Sequence, residues 1–336
     1  MMEPMSTTWP TASLPNTPNN PAQPNHHSPP RTGFFTPLHT MFKNATIYTM
    51  GPDWAADLTA MEQALSAMPF QHCGPTDDET LGFVPPRGPA GALVESINGQ
   101  RITCFQLETK SVPASAVKRE LDKRTAAIEA ETGRKPGRKA TRELKEQITF
   151  DLLPHAFPKT SRVLVWLDLQ HRRLVLDTAS QNKADAATTA LTQALSGLHL
   201  SLLNTTVEPQ AAMTQWLTEG PLKWPADFEP GRFVELHDNG ESQSTVKFDR
   251  HHLDDDQMRL HITQGKLPTQ LGMTWAGCAS FVLTQALQLK KIDFLDGTQE
   301  MQGDTQEDGF DANVALATGQ LTQLLNALVG ELGGVK

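Results

Sequence analysis

The stretch LLPHAFPKTSRVLVWLDLQHRRLVLDTAS, residues 152–180, contains two apolar runs separated by a polar turn. The runs cover residues 163–169 and 174–176, and short apolar runs bounded by polar residues are typical of buried strands. The stretch therefore predicts a strand hairpin in the core of the protein.

A long, highly charged helical segment precedes this hairpin. It begins at Pro113, is interrupted near Gly133 and Pro136, and resumes to about Phe150. Because glycine and proline break helices, the pattern predicts two helices joined by a short connection, a helical hairpin.

The remaining apolar periodicity predicts an α+β fold with mixed sheets. Asn98-Gly99 suits a tight strand hairpin. The Gly- and Pro-rich residues 70–88 favour a loop with short extended pieces. Five leucines form an apolar face on the last helix. Those leucines are Leu316, Leu321, Leu324, Leu325 and Leu328. The predicted strands cover 41–50, 93–111 (a hairpin), 231–236, 245–248, 272–287 and 290–294, and the predicted helices cover 54–68, 184–195, 213–217, 254–264 and 312–332.

These elements suggest a division of the chain into a tail and three structural parts. Residues 1–40 are rich in Pro, Asn, Thr and Ser and are predicted to be a disordered tail. Residues 41–112 and 158–204 form a predicted central α+β domain. Residues 113–157 form a helical finger, called the finger below, and residues 205–336 a C-terminal α+β base domain.

Composition limits the function classes. The 336 residues carry a formal net charge of -9, no apolar run reaches the roughly 18 residues of a membrane span, and no secretion signal is evident, so we expect a cytoplasmic protein. The three cysteines lie far apart and are each predicted to be small buried apolar residues. GxSxG, HExxH and P-loop motifs are absent, so neither catalysis nor a cofactor is expected.

The segment 134–145, RKPGRKATRELK, concentrates positive charge in this acidic chain. The segment contains six basic residues and one acid, Glu143, which gives a local charge balance of +5. At the end of a helical hairpin, these cations would bind phosphates rather than bases. A solvated charged face is the alternative. The segment has no aromatic residue, which favours duplex DNA over a dedicated single-strand groove. The basic residues are Arg134, Lys135, Arg138, Lys139, Arg142 and Lys145.

A second basic segment, KFDRHHLDDD at residues 247–256, contains adjacent histidines beside aspartates. Adjacent side chains of an extended segment point to opposite faces, and aspartates at a helix start are better explained as caps than as metal ligands. No metal site is predicted. Lys247, Arg250 and His251 are instead expected to extend a basic surface.

Several separated motifs in one order resemble the RdgC family. They are MFKN at residue 41, FxxCG followed by GFVPPRG, the NGQ turn, LLPHAF, VWLD, and the closing FDANVALATGQL with LGG. The resemblance spans residues 41 to about 334.

This resemblance implies a horseshoe-shaped subunit that forms a closed homodimeric ring with a basic lining around duplex DNA. It implies binding with little sequence preference, with single-strand binding left open, nucleoid association and restraint of the recombinase RecA. Phe157 matches the phenylalanine that inserts into the partner subunit at the tip of the helical hairpin. His155 stands where a basic residue often contacts phosphate, a contact that a neutral imidazole weakens.

Two rival functions follow from other features. One is a protein-interaction inhibitor that captures the recombinase directly through the acidic surface and the tail. The other is a metal-dependent nuclease that uses His251, His252 and Asp254.

Overall fold

The computed structural model describes residues 41–55, 57–220, 224–238, 240, 243–253, 256–294 and 306–336, with residues 306–308 as backbone alone. Within these residues the chain forms seven α-helices and two antiparallel sheets. The α+β class is confirmed, and the expectation of mixed sheets is wrong, because every pair of neighbouring strands is antiparallel. The predicted tail, residues 1–40, lies outside the described residues, and the division into domains stays a prediction.

The first sheet has seven strands in the order β2-β4-β5-β6-β1-β7, and β3 also pairs with β4. The hairpin predicted over 163–176 forms its centre, where Trp166 pairs with Val175. The strands are β1 Thr46–Met50, β2 Glu79–Val84, β3 Val94–Ile97, β4 Gln100–Lys110, β5 Pro158–Asp168, β6 Arg173–Leu176 and β7 Leu200–Leu202.

Alternation along β5 gives this sheet two buried faces. Val163, Val165 and Leu167 pack into one apolar cluster with helices α1 and α4, defined below, while Trp166 points into a second cluster shared with the other sheet. The Trp166 indole donates to Gln100 Oε1 at 2.8 Å, so its one polar group is satisfied inside the core. A strand buried on both faces reads as a continuous apolar run, which is why this stretch stands out in the sequence.

The second sheet has five strands in the order β12-β11-β10-β8-β9. It joins the first through Ala45 and Leu289, whose backbones exchange hydrogen bonds of 2.8 and 3.0 Å. The two sheets thereby share one core. The strands are β8 Phe228–His237, β9 Thr245–Asp249, β10 Leu267–Trp275, β11 Ala279–Thr284 and β12 Leu289–Phe294.

The helices cover the sheets or, in the finger, extend from one end. The helices α5, α6 and α7 contribute buried side chains to the shared core, and α1 and α4 to the other cluster. The helices are α1 Leu58–Ser66, α2 Ala114–Thr132, α3 Arg138–Leu152, α4 Gln181–Ala194, α5 Pro209–Glu219, α6 Asp256–Thr263 and α7 Gln306–Glu331.

The structure corrects several local expectations. The helix predicted over 54–68 starts later because Asp57 caps it, accepting from the Ala60 N–H at 2.8 Å. The run 272–287 is a hairpin, since Ala276 and Gly277 turn the chain with positive φ. The loop with short extended pieces predicted over 70–88 is confirmed, and β2 is its extended piece. Leu316 is exposed, unlike the four other predicted leucines of α7.

The expectation that all three cysteines are buried holds for one of them. Cys104 is buried on β4, Cys73 is half-buried and Cys278 is exposed in the turn between β10 and β11. Burial raises the pKa of the Cys104 thiol to about 11.

Candidate nucleic-acid interface

The finger is an antiparallel pair of helices carried by the ends of two central strands. β4 and β5 pair up to Lys110 and Pro158, and α2 and α3 extend from there. Between the helices, Gly133 adopts φ +74° and its N–H bonds to the Glu129 carbonyl, a helix end that favours glycine. The sequence prediction of two helices broken near Gly133 is confirmed.

Apolar packing within the finger is concentrated at its root, the end next to the sheet. Val117 on α2 and Ile148 on α3 are the buried side chains of the two helices, and both lie near that end. Arg124 and Asp151 add an ion pair of 3.0 Å between the helices. Most other finger side chains are exposed, so this surface is available for binding.

All six cations of the segment 134–145 are exposed. Three of them approach acids within the finger at 3.0 to 3.9 Å, with cation side chains that are 72–93% exposed. Exposed ion pairs are worth about 0–1 kcal/mol, so the cations can exchange these acids for phosphate at little cost. The pairs are Lys135–Glu129, Lys139–Glu143 and Arg142–Glu146.

The finger also differs from the rest of the chain in total charge. Residues 113–157 carry ten Lys and Arg against seven Asp and Glu, a balance of +3. The remaining residues carry 19 against 31 and sum to -12. Positive charge is thus concentrated on an extension of an acidic protein.

The second predicted cationic group lies on a different element. Lys247, Arg250 and His251 are exposed on and just after β9, the edge strand of the five-stranded sheet. They are not part of the finger. The His251 Nδ1 lies 2.9 Å from the His252 carbonyl, and its ring makes an edge contact with Phe248.

Lys247 is held more firmly than the finger cations. It faces Glu235 across the β8–β9 pairing, with Nζ 2.7 Å from the carboxylate, which also accepts from Thr269 and Gln270. Burial of the Glu235 carboxyl opposes its ionisation, but the hydrogen bonds from Lys247, Thr269 and Gln270 outweigh this and lower its pKa. Lys247 therefore stabilises the sheet as well as adding surface charge.

The root of the finger exposes a large aromatic side chain. Phe157 is 93% exposed between a 3₁₀ turn, Leu153–His155, and the start of β5. His155 is exposed beside it. The expectation that Phe157 lies at the tip of the hairpin is wrong, because the connection at Gly133 forms the tip and the chain has returned to the sheet by Phe157.

A groove beside α3 was missed in the sequence. Its cavity of about 740 Å³ lies between α3 and the ends of β2 and β4, and Arg142 and Lys145 line it. Lys110, the acids Asp78 and Glu146, and Phe150 also line it, and Phe150 is 57% exposed. The four-residue spacing of Arg142, Glu146 and Phe150 is a signal that could have linked the aromatic to the cations.

A buried carboxylate fixes the strand ends next to this groove. Glu108 accepts from the Cys73 N–H at 2.8 Å and lies 2.9 Å from His72 Nδ1. The Thr160 hydroxyl on β5 donates to it at 2.8 Å. The Cys73 N–H, then His72 and Thr160, outweigh burial and lower the pKa of Glu108 to about 2. The FxxCG motif therefore docks on β4 through this carboxylate.

Comparison with known proteins identifies the family. The family described as "Putative exonuclease, RdgC" matches residues 40–335. The chain belongs to the RdgC family. A Recombination-associated protein RdgC of Dechloromonas aromatica is 36% identical over 299 residues, 87% of this chain and 97% of that protein. Those of Bordetella pertussis and Burkholderia cenocepacia are 37% and 38% identical, cover 88% and 87% of this chain, and are matched over 99% and 95% of their own length.

The family description and the names of the relatives differ on whether they mention a catalytic activity. The family description mentions an exonuclease, whereas the names of these relatives refer to recombination and to no catalytic activity. Among the described residues, no three His, Cys, Asp or Glu side chains gather as a metal site would require. Asp254 of the nuclease hypothesis lies outside those residues.

In the part of the chain that the structure describes, no helix combines the length and apolar character needed to cross a bilayer.

Proposed function

We propose that this RdgC-family protein is a non-sequence-specific DNA-binding protein that acts on duplex DNA. The observation that carries the proposal is the set of six exposed cations at residues 134–145 on the finger of an acidic chain. Cations on flexible side chains bind phosphates without reading bases. Binding is then driven by counterion release and is insensitive to sequence.

The proposal assigns the phosphate contacts to two groups of residues. The six cations of residues 134–145 contribute most, because the exposed acids that pair with three of them are readily displaced. Lys247, Arg250 and His251 contribute less, since Lys247 is already engaged by Glu235. His155, exposed at the root of the finger, adds a further contact.

Self-association completes the proposed DNA-binding form. Phe157 exposes 93% of its surface, and a fully exposed phenylalanine that a partner buries is a typical interface anchor. Two horseshoe-shaped subunits closed through Phe157 would form a homodimeric ring around the duplex. The ring brings the cations of both copies to one polyanion, which a chain of charge -9 otherwise repels.

Restraint of the recombinase RecA follows from occupancy of DNA in this proposal, as does association with the nucleoid. The relatives' names link the family to recombination. Filament assembly measured at increasing DNA concentration tests this step. Excess DNA should relieve inhibition by occupancy, while inhibition that persists would indicate direct capture of the recombinase.

The central experiment is a salt series on two unrelated duplexes. Arg138→Glu combined with Lys139→Glu should weaken binding to both duplexes equally and reduce the slope of log affinity against log salt by about 2. The control, Lys118→Glu with Arg119→Glu, makes the same charge change on exposed residues of α2. Unchanged affinity and slope in the first variant, or equal losses in both, would remove residues 138 and 139 from the site.

A further inference from the structure

One face of the first sheet, at the root of the finger, displays two side chains over two buried hydrogen-bond acceptors. Gln106 and Glu108 lie two residues apart on β4 and therefore point to the same face of the sheet. Both are almost fully covered, with Gln106 4% and Glu108 2% exposed. Arg162 and His72, which contact them, are exposed to solvent. The buried acceptors thus fix the orientation of two exposed nitrogen-bearing side chains.

Arg162 is held by one of its nitrogens. It pairs with Gln106 across β4 and β5, and its Nε donates to Gln106 Oε1 at 2.8 Å. Within the described part of the chain, its two Nη groups have no partner and Arg162 forms no ion pair with an acid. A guanidinium whose orientation is already fixed loses little entropy when it binds an anion. Arg162 is therefore ready to contact a phosphate.

His72 is held in the same manner through its Nδ1. That atom lies 2.9 Å from the Glu108 carboxylate, while 80% of the His72 side chain is exposed. Hydrogen bonds from the Cys73 N–H and then from His72 lower the pKa of Glu108 to about 2, so this carboxylate is ionised at neutral pH. With Nδ1 engaged, Nε2 is the ring nitrogen left for a ligand. Protonation converts Nε2 from an acceptor into a donor.

The charge of the pair formed by Glu108 and His72 changes with pH, because histidine side chains exchange their proton between about pH 5 and 8. The pair sums to one negative charge with a neutral imidazole and to zero with a protonated one. The other charged side chains on this face of β4 and β5 are Lys110 and Arg162. The remaining contacts of the Glu108 residue are the Cys73 N–H and thiol and the Thr160 hydroxyl.

We propose that this sheet face is an additional, pH-dependent phosphate site for the DNA backbone, which Arg162 contacts at any pH and His72 only when it is protonated. The inference rests on the proposed DNA-binding function and adds a form of regulation to it. Duplex DNA should bind more tightly at pH 6 than at pH 8, because protonation removes one negative charge from the site and provides a donor. The lysines and arginines of residues 134–145 do not supply this dependence, since such side chains stay protonated over the range.

The test measures duplex affinity against salt concentration at pH 6 and at pH 8. Arg162→Gln should weaken binding about fivefold at about 0.15 M salt and reduce the slope of log affinity against log salt by about 1 at both pH values. His72→Gln should cause losses of that size at pH 6 and none at pH 8. His72→Lys should bind at both pH values as tightly as the intact protein binds at pH 6, since lysine keeps its charge.

His199→Gln is the matched control, because His199 is exposed next to β7, the strand at the far edge of the same sheet. It should change neither the affinities nor their pH dependence. In His72→Gln, Glu108 keeps the Cys73 N–H and the Thr160 hydroxyl as donors, so the loop should stay docked, and thermal unfolding of each variant checks this.

Two results would overturn the site. They are a salt slope unchanged by Arg162→Gln, and a pH dependence in His72→Gln as large as that of the intact protein. Absence of duplex binding by the intact protein at both pH values would instead refute the proposed function.

Discussion

The finger segment 134–145 and the segment 247–251 look alike in sequence and differ in structure. Both place cations in an acidic chain. Three of the cations of 134–145 pair with exposed acids, whereas Lys247 pairs with Glu235, whose side chain is only 14% exposed and has three donors. Equal charge in two segments therefore does not mean that their cations are equally available to a ligand. A cation that satisfies a partly buried carboxylate supports the fold, whereas one beside a solvated acid is available to a ligand.

The largest expected effects come from two phenylalanines outside these segments, one at the root of the finger and one in the five-stranded sheet. Phe281→Ala on β11 should lower the free energy of unfolding by about 3–5 kcal/mol, because Phe281 is 3% exposed and packs in the shared core. Phe157→Ala should leave that free energy within about 0.5 kcal/mol, since the ring faces solvent. Urea denaturation measures both.

The same Phe157→Ala variant should weaken the dimer at least about 30-fold, as loss of an interface anchor does. Sedimentation at several protein concentrations measures this change. A Phe157→Ala protein that stays dimeric, or that unfolds as easily as Phe281→Ala, would contradict the prediction that Phe157 contributes to dimerisation and not to the stability of the fold.

A smaller effect is expected from two lysines. Lys247→Ala should cost about 1–2 kcal/mol of stability, because it leaves the Glu235 carboxylate without its charged donor. Lys139→Ala should cost less than about 0.5 kcal/mol, since its partner Glu143 is 63% exposed. In a salt series the order should reverse, with Lys139→Ala weakening duplex binding more. Equal stabilities of the two variants would show that the difference between the segments has no energetic consequence.

The smallest effect is the contribution of Glu235 to the pH dependence of stability. Its folded-state pKa is lowered below the ordinary 4.5, so its contribution to stability is present above that pH and is lost as pH falls through the lower folded value. Glu235→Gln should therefore flatten the loss of stability below pH 4.5. Thermal unfolding between pH 3 and 6 measures the slopes, and parallel curves for the two proteins would remove Glu235 as a contributor.

The sequence predicted much of this fold for identifiable reasons. Residues 163–176 had to be a buried hairpin because their apolar runs have no polar face, and Gly133 with Pro136 had to divide the charged helices. The sheet type was not predictable, since pairing directions depend on contacts between distant strands such as β4 and β5. Leu316 was placed in the core by its spacing, yet that position on α7 faces solvent.

The candidate site was likewise predictable from the sequence only in part. The position of the cations and their concentration on a helical hairpin follow from the sequence, because helix periodicity and charge are local properties. Only the tertiary structure decided that Phe157 and Phe150 are exposed, that Lys247 pairs with Glu235, and that a groove lies beside α3. The burial of these side chains depends on which distant segments pack over them, and the residues adjacent in sequence do not specify those segments.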